Sequence, residues 1–399
     1  MRSDMKKALR IVSIALFVVL VISLASCNGK ALKTEPTAIQ HEQKFGGVYI
    51  EITIDDFNKM GFAFGDAVKI EFSNGFVLED IPYYNGFYVD MGEPLLVGYP
   101  GYPYIRVGYN NGPDMYKEAN LQLGADSPIL SLTQEADIDV EHDTAVITLV
   151  KKGKYLATQN AMDIHYSDEQ GDKSDAVFAN FREVNVGRLK DNTLYRSASP
   201  CDNQHNRAEA SDRMIASVGV NCIINLADNA TELHRHAQAI NAGEYSCPQF
   251  LSVYNAGNVI PLSMNMAYKT EGFNQKLVSG LTEAAHKSGP YLVHCVEGKD
   301  RTGFVCMVIE GLAGATYEEI VADYMITYDN YYGINKTSDP DKYDVIKDKQ
   351  IDTMLRYVAG EGTDITKADY SACIKQYLLR IGMAQADIDA LENNFINLA

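Results

Sequence analysis

Residues 294–303 read HCVEGKDRTG and place a thiol, two cations and two glycines in a single short segment. Cys295 precedes Arg301 by six positions, with Gly298 between them. A thiol beside cations and a helix N-terminus loses its proton readily and becomes a nucleophile near neutral pH. A guanidinium at the other end of the same loop can hold two oxygens of a phosphoryl group. The segment therefore predicts covalent catalysis on an anionic substrate.

The other residues of this segment fit the same chemistry. We expect the backbone N–H groups of residues 295–301, here called the cysteine loop, to face an anion together with the next helix N-terminus. Thr302 is suited to donate its hydroxyl to the sulfur as it departs, and His294 to hold the loop by ring hydrogen bonds. Gly298 and Gly303 allow backbone angles or close approaches that a Cβ would obstruct. The predicted substrate-binding residues of the loop are Val296, Glu297, Gly298, Lys299 and Gly303.

The elements around the loop indicate an α/β fold. PYLVH (290–294) and CIINLA (222–227) are short continuous apolar runs, typical of strands buried on both faces. TGFVCMVIEGLAG (302–314) is apolar nearly all round, which predicts a core helix. TELHRHAQAINAG (231–243) predicts a helix that ends at a glycine. This alternation predicts a domain over residues 176–399 with a central, mostly parallel sheet flanked by helices.

Upstream of this domain, the apolar residues recur with a different period. Segments between residues 46 and 160, such as AVKIEF (67–72), FYVDM (87–91) and TAVITLV (144–150), alternate apolar and polar residues as half-buried strands do. Asn-Gly pairs between such runs favour tight hairpin turns. The pattern predicts a small all-β domain of unknown role, a barrel or a sandwich. YPGYPYIRVGYNNG (99–112) is either a recognition loop or an edge strand with packed tyrosines.

Residues 1–26 are typical of an export signal, with a basic start, an apolar run and small residues at the end. The apolar run, residues 11–25, is short for a membrane span. LASC (24–27) resembles the bacterial lipobox, which implies a lipid on Cys27 and a location in the cell envelope outside the cytoplasm. Residues 27–45 would then tether the protein to the membrane. The alternative is an uncleaved anchor with a chance cysteine.

Charge and cysteine spacing exclude other classes of function. The net charge of −18 becomes −21 without residues 1–26, which carry four basic residues and one acidic residue. Such a surface does not suit nucleic acid, and an anionic substrate needs a local basic pocket. None of the seven cysteines forms a CxxC pair, so we predict no metal site and no cofactor. The spacing of Cys201 and Cys247 does not decide whether these two residues form a disulfide.

The order His-Cys-x5-Arg-Thr resembles the signature of the protein tyrosine phosphatase superfamily. Lys299-Asp300 inside the loop resembles the bacterial atypical branch, whose members act on phosphotyrosine, phosphoserine or phosphothreonine, and phosphoinositides. FANFREV (178–184) and TLYRSASP (193–200) are also similar to segments of that branch. The resemblance covers about residues 178–335 and implies a phosphatase with a phosphocysteine intermediate.

The chain departs from that branch at two positions. Asn225-Leu226-Ala227-Asp228 stands where an Asp-Leu-Arg triplet is common, and Glu297 is an unusual neighbour for a dianion. Both place more negative charge near the loop and favour a substrate with one phosphate. The resemblance implies Asp300 as the general acid, and the turn that places Arg301 would place it too. Asp228 is the alternative acid.

Loops after parallel strands line the active site of such a sheet. The loop DNQHNRA (202–208) follows TLYRSASP, so His205 and Arg207 are further candidates for substrate binding. The function predicted is an exported, membrane-anchored phosphatase acting on phosphotyrosine or dual-specificity protein substrates. The alternatives are a phosphoinositide or inositol-phosphate phosphatase, and a surface protein that binds phosphorylated ligands without turnover.

Overall fold

The computed structural model describes residues 31–122 and 143–397, so residues 1–26 and the lipidation candidate Cys27 lie outside the described residues. The first part is a closed barrel with strand order β1-β2-β6-β5-β4-β3-β7. Its neighbouring strands are antiparallel except for β4 and β5, which are parallel. The strands are β1 (Thr37–Glu42), β2 (Gly47–Ile50), β3 (Ala67–Phe72), β4 (Val77–Tyr84), β5 (Pro94–Val97), β6 (Ile105–Tyr109) and β7 (Thr144–Lys151).

Alternation along the strands fills the barrel. In β3, Val68, Ile70 and Phe72 are buried while the intervening Lys69 and Glu71 are more exposed. Two short helices, α1 (Ile54–Lys59) and α2 (Met115–Glu118), add the buried side chains of Phe57 and Met115. The predicted all-β unit is therefore a seven-stranded barrel.

One predicted strand of this unit is wrong. Residues 87–91 (FYVDM) form an irregular segment between β4 and β5 and pair with no strand. The Asn85-Gly86 turn does not return the chain to a neighbouring strand, and Met91 packs against the core of the second part of the chain. Tyr88 and Val89 pack on residues of the barrel while Met91 packs on the second part, so the segment is covered from both sides.

The second part is built on a five-stranded sheet with order β11-β10-β12-β9-β8. Strands β9 to β12 are parallel and β8 is antiparallel to β9. All four residues of β12 are buried, as expected for a strand covered on both faces. The strands are β8 (Arg182–Glu183), β9 (Leu194–Ser197), β10 (Cys222–Asn225), β11 (Val259–Pro261) and β12 (Tyr291–His294).

Helices cover both faces of this sheet. The helix α9 (Asp300–Leu312) is almost entirely buried, which explains why its sequence is apolar on every side. No helix among the described residues is long and apolar enough to span a membrane. The helices are α3 (Leu156–Met162), α4 (Asp175–Phe178), α5 (Ala208–Ser217), α6 (Ala230–Asn241), α7 (Pro248–Asn255), α8 (Glu271–Ala285), α9 (Asp300–Leu312), α10 (Tyr317–Tyr332), α11 (Pro340–Lys347), α12 (Thr353–Ala359), α13 (Tyr370–Arg380) and α14 (Gln385–Phe395), with a π-helical turn (Asp348–Asp352) before α12.

Candidate active site

The cysteine loop joins β12 to α9 at the carboxyl edge of the parallel sheet. Cys295 follows the last residue of β12 and is only 3% exposed. The helix begins at Asp300, and no side chain caps its N-terminus. The N–H groups of residues 296–299 find no acceptor among the described residues. Unpaired amides beside an uncapped helix N-terminus are the donors that an anion requires.

The middle of the loop is held from behind by buried side chains. The carbonyl oxygen of Gly298 accepts hydrogen bonds from Asn180 Nδ2 at 3.1 Å and from Arg196 Nη2 at 3.0 Å. Arg196 and Arg182 both pair with the buried carboxylate of Asp323, at 2.5 and 2.7 Å. Arg196 therefore fixes the peptide that follows Gly298, and Arg182 supports it by binding Asp323 and Asn180.

Two more carbonyl oxygens of the loop are bound in the same way. The Tyr331 hydroxyl donates to the oxygen of Glu297 at 2.6 Å, and the N–H of Ser199 donates to that of Val296 at 3.0 Å. Because its carbonyl groups are bound by the surrounding protein, the loop keeps its peptide planes in one orientation. The N–H groups on the opposite side of these peptides remain available for a ligand.

Neither glycine of the segment 294–303 has room for a Cβ atom. Gly298 has φ +68°, and a Cβ there would lie 2.2 Å from the carbonyl oxygen of Ser197. A Cβ on Gly303 would lie 2.4 Å from Cε2 of Tyr324. The loop and α9 thus pack directly on β9 and α10, which a larger residue at either position would prevent.

His294 and Thr302 are fully buried on either side of the loop. Nδ1 of His294 lies 3.0 Å from the carbonyl oxygen of Cys295, so this nitrogen carries the proton and donates. Burial lowers the pKa of His294 to about 4, which keeps the ring neutral at physiological pH. Oγ1 of Thr302 and Nε2 of His294 have no partner among the described residues. Uncommitted buried polar atoms are uncommon and mark groups available to a ligand or a reaction.

The charged residues of the loop are arranged as a compact set. Nζ of Lys299 lies 2.7 Å from both carboxylate oxygens of Asp300 and 3.8 Å from Glu297. Burial works against the charged amine, but the two carboxylates outweigh it and raise the pKa of Lys299. Nη1 of Arg301 donates to the carbonyl oxygen of Met264 at 3.1 Å, which directs the guanidinium from the other side.

Asp228, the alternative acid, is a buried and well-bound carboxylate. Asn225 Nδ2 donates to it at 2.9 Å, and His236 Nε2 lies 3.5 Å away. Burial alone would raise the pKa of Asp228, but hydrogen bonds from His236 and Asn225 lower it. Asn225 also accepts hydrogen bonds from the N–H groups of Ala227 and Asp228, which explains the departure from the Asp-Leu-Arg pattern as a local turn. The pairing with Asp228 thus occupies Nε2 of His236.

Arg207 and His205, the two candidates from the loop 202–208, both contact other parts of the protein. Arg207 is 2% exposed and donates to the carbonyl oxygens of Ser167 and Phe178 and to Asp168, at 2.8 to 3.1 Å. His205 Nδ1 lies 3.1 Å from the same carboxylate. Both side chains bind the segment between the barrel and the α/β unit. The sequence missed this arrangement because the partners lie nearly 40 residues upstream.

Tyr166 of that connecting segment is a site residue that the sequence did not suggest. Its ring stacks on Tyr331, with centroids 5.0 Å apart, and the Arg207 guanidinium lies 4.6 Å from its centroid. Burial and the neighbouring Glu297 carboxylate raise the pKa of Tyr166. The polar segment 165–175 therefore does not merely link two units, since it packs beside the cysteine loop.

The cysteines of the described residues form no disulfide. Cys201 and Cys247 are both free and buried, and burial raises the pKa of each. In the ranges 31–122 and 143–397, no group of three or more histidine, cysteine and carboxylate side chains could hold a metal ion.

Comparisons with known proteins place this site in context. A model of the tyrosine phosphatase family matches residues 177–397, slightly more than half of the chain. No curated protein matches the sequence significantly. Among the solved structures that match is the core catalytic domain of the PP-IP phosphatase SIW14 from S. cerevisiae, in complex with citrate. It is 20% identical, and the match covers 42% of this chain and 83% of that one. The TM-score of 0.25 is too low for this match to inform the substrate.

Proposed function

Because the chain belongs to the tyrosine phosphatase family, whose members are phosphoric monoester hydrolases, we propose that it cleaves phosphate monoesters through a phosphocysteine on Cys295. The observation that carries this proposal is the cysteine loop itself. Its carbonyl groups are bound from outside, and its N–H groups are free beside an uncapped helix. Such a preorganised set of donors stabilises the charge of a phosphoryl group during transfer.

In the first step, the Cys295 thiolate attacks phosphorus and the bond to the leaving oxygen breaks. Arg301 and the loop amides hold the equatorial oxygens, and Asp300 gives its proton to the leaving oxygen. In the second step, water attacks phosphorus and passes a proton to Asp300 while the sulfur departs as a thiolate. The uncommitted hydroxyl of Thr302 is suited to stabilise that sulfur. The net reaction consumes one water and releases inorganic phosphate and an alcohol or phenol.

A protein phosphomonoester is the substrate best supported by the local charges. Lys299, the cation of the loop besides Arg301, is already paired with Asp300 and is close to Glu297. Asp228 adds a carboxylate after β10, and the whole chain carries a net charge of −18. Each additional phosphate of an inositol phosphate would meet these carboxylates. Phosphoinositides and inositol phosphates are therefore the second candidate class of substrate. Hydrolysis of a substrate from either class would distinguish an enzyme from a protein that only binds phosphorylated ligands.

The proposed cellular location of the enzyme rests on its N-terminal residues. We infer that it is a lipoprotein of the bacterial cell envelope, anchored through Cys27 and acting outside the cytoplasm. The support is the basic and apolar run before Leu-Ala-Ser-Cys. The membrane partner is then the lipid layer that holds the diacyl chains.

The decisive experiment is a substrate panel measured with EDTA present. Phosphotyrosine peptide, phosphoserine peptide, a phosphoinositide and inositol hexakisphosphate are compared with wild-type protein and Cys295→Ser. We expect peptide hydrolysis by the wild type, and none by Cys295→Ser even though it still binds vanadate. Cys373→Ser, which changes a cysteine on α13, is the matched control and should retain full activity. A Cys295→Ser protein with a tenth of the wild-type rate would refute the covalent mechanism.

A further inference from the structure

A cavity of about 340 Å³ lies where the barrel, the connecting segment and the α/β unit meet. We call it the interdomain cavity. The barrel contributes residues 87–91 together with Asn110 and Asn111, and the connecting segment contributes Met162 and Ile164. The α/β unit contributes Lys299 and Asp300, the last two residues before Arg301 in the cysteine loop. A pocket of this size accommodates a small organic group.

The barrel wall of this cavity is held firmly in place. Asn110 Nδ2 donates to the carbonyl oxygen of Val89 at 2.7 Å, which fixes the irregular segment 87–91. Lys269 of the α/β unit donates to the carbonyl oxygen of Met91 at 3.3 Å, and the Met91 side chain packs on the α/β core. The barrel is therefore docked beside the cysteine loop by polar and apolar contacts, and the cavity is a built feature of the chain.

The position of Asp300 indicates what enters this cavity. A general acid must contact the leaving oxygen, so the leaving group has to lie on the side of the loop that Asp300 faces. Asp300 is 36% exposed and lines the interdomain cavity. The cavity is therefore where the part of the substrate beyond the phosphate would lie.

The lining of the cavity favours an aromatic group. Its apolar part consists mainly of aromatic and methionine side chains, which pack well on flat rings. Two cations, Lys299 and Lys349, face two acids, Asp90 and Asp300, so the lining offers no excess of positive charge for further phosphates. The aromatic and methionine residues include Phe87, Tyr88 and Met91 from the barrel and Tyr268, Tyr328 and Tyr332 from the α/β unit.

We propose that the interdomain cavity binds the aromatic leaving group of a singly phosphorylated substrate, and that barrel residues 87–91 are its specificity-determining wall. This inference rests on the proposed phosphatase activity and gives the barrel a role in it. Removing phosphate from an aryl ester then depends on a part of the chain outside the family match at 177–397.

The test fills the cavity from the barrel side. Asp90→Phe places a ring in the cavity, and Asp55→Phe makes the same substitution at an exposed position of α1 outside the cavity. Acetyl phosphate has a leaving group too small to need the cavity, whereas 2-naphthyl phosphate requires it. We expect Asp90→Phe to lower kcat/KM for 2-naphthyl phosphate about tenfold or more, mainly through KM. Activity of Asp90→Phe on acetyl phosphate should change less than about twofold, and Asp55→Phe should resemble the wild type on both substrates.

A second variant fills the cavity from the opposite wall. Gln350→Phe lies on the π-helical turn and should give the same selective loss as Asp90→Phe. The inference is overturned if both filling variants lower the two activities equally, or if neither lowers naphthyl phosphate hydrolysis. A wild-type preference for inositol hexakisphosphate over 2-naphthyl phosphate overturns the aromatic assignment. If the wild type hydrolyses neither test compound nor the peptides, the proposed function fails instead, which is a distinct result.

Discussion

Nη2 of Arg196 donates a hydrogen bond of 3.0 Å to the carbonyl oxygen of Gly298, in the middle of the cysteine loop. Arg196 is 1% exposed and its Nη1 pairs with Asp323 at 2.5 Å. One guanidinium thus connects strand β9 with the helix α10 and the cysteine loop. The relationship makes the loop geometry depend on a residue that does not face the substrate.

Arg196→Met should impair both stability and catalysis. Asp323 would keep only Arg182 as its cationic partner, and breaking a buried pair costs about 3–5 kcal/mol of unfolding free energy. A displaced loop should lower kcat by about a hundredfold. Urea unfolding and steady-state kinetics measure the two effects. Arg213→Met, which breaks a half-exposed pair with Asp175, should cost about 1 kcal/mol or less and leave kcat unchanged. Equal losses for both variants would contradict the positioning role.

Gly298→Ala should abolish activity because it combines backbone strain with a clash. The new Cβ would lie 2.2 Å from the Ser197 carbonyl oxygen, at a residue with φ +68°. Gly257→Ala is the matched control, since Gly257 has φ +73° but no atom within 4 Å of the added Cβ. It should cost only about 1 kcal/mol of stability and leave kcat intact. Near-normal activity of Gly298→Ala would show that the loop is not held as tightly as these contacts require.

The pH profile distinguishes the two candidate acids. Burial works against ionisation, but hydrogen bonds from His236 and Asn225 lower the pKa of Asp228, and Asp228 does not line the interdomain cavity where Asp300 lies. Asp300→Asn should remove the high-pH limb of the kcat profile and slow alkyl phosphates by about 10²–10⁴-fold. Aryl phosphates with good leaving groups should be much less affected. Asp228→Asn should leave the limb in place, and the reverse pattern would reassign the acid.

His294 should make the fold sensitive to mild acid. Its folded pKa is about 4 because of burial, below the ordinary value of 6.5 for an unfolded chain. Between these values the unfolded chain binds the proton and the folded protein does not. Stability from this group is therefore complete above pH 6.5 and falls by about 3 kcal/mol as the pH decreases to 4.

The measurement is urea unfolding at pH 7 and pH 5. The wild type should lose about 2 kcal/mol through this group between the two values, and His294→Asn should lose correspondingly less, whatever its stability at pH 7. His165→Asn, which changes an exposed histidine, serves as the control and should follow the wild type. If His294→Asn has the same pH dependence as the wild type, His294 is not the titrating group.

Cys27→Ala tests the proposed membrane anchor. The wild-type protein should fractionate with membranes and incorporate labelled palmitate, because two acyl chains give stable attachment. Cys27→Ala should lose the label and appear in the soluble fraction. The variant Cys373→Ser controls for loss of any cysteine. Unchanged membrane attachment of Cys27→Ala would favour an uncleaved span over a lipid.

Local sequence was sufficient to predict that the cysteine loop joins a buried strand to a buried helix, because all its parts are contiguous. A buried strand, a short loop with Gly298 and a buried helix leave little freedom for the backbone, so the spacing of Cys295 and Arg301 implies their meeting at one anion site. The apolar runs of β10, β12 and α9 were also recognisable, since a period depends only on which face is buried. The α/β fold and the preceding β unit followed from those periods.

Only the tertiary structure decided which distant residues surround that loop. The guanidinium of Arg207, which was predicted to bind substrate, donates a hydrogen bond to Asp168, 39 residues away. Residues 87–91 alternate like a strand, yet the second unit covers one of their faces, and they line the interdomain cavity. Asp323 and Tyr166 carry no signature of their own. Their roles arise from burial beside partners that sequence spacing does not specify, because charge pairing and ring stacking act through space and not along the chain.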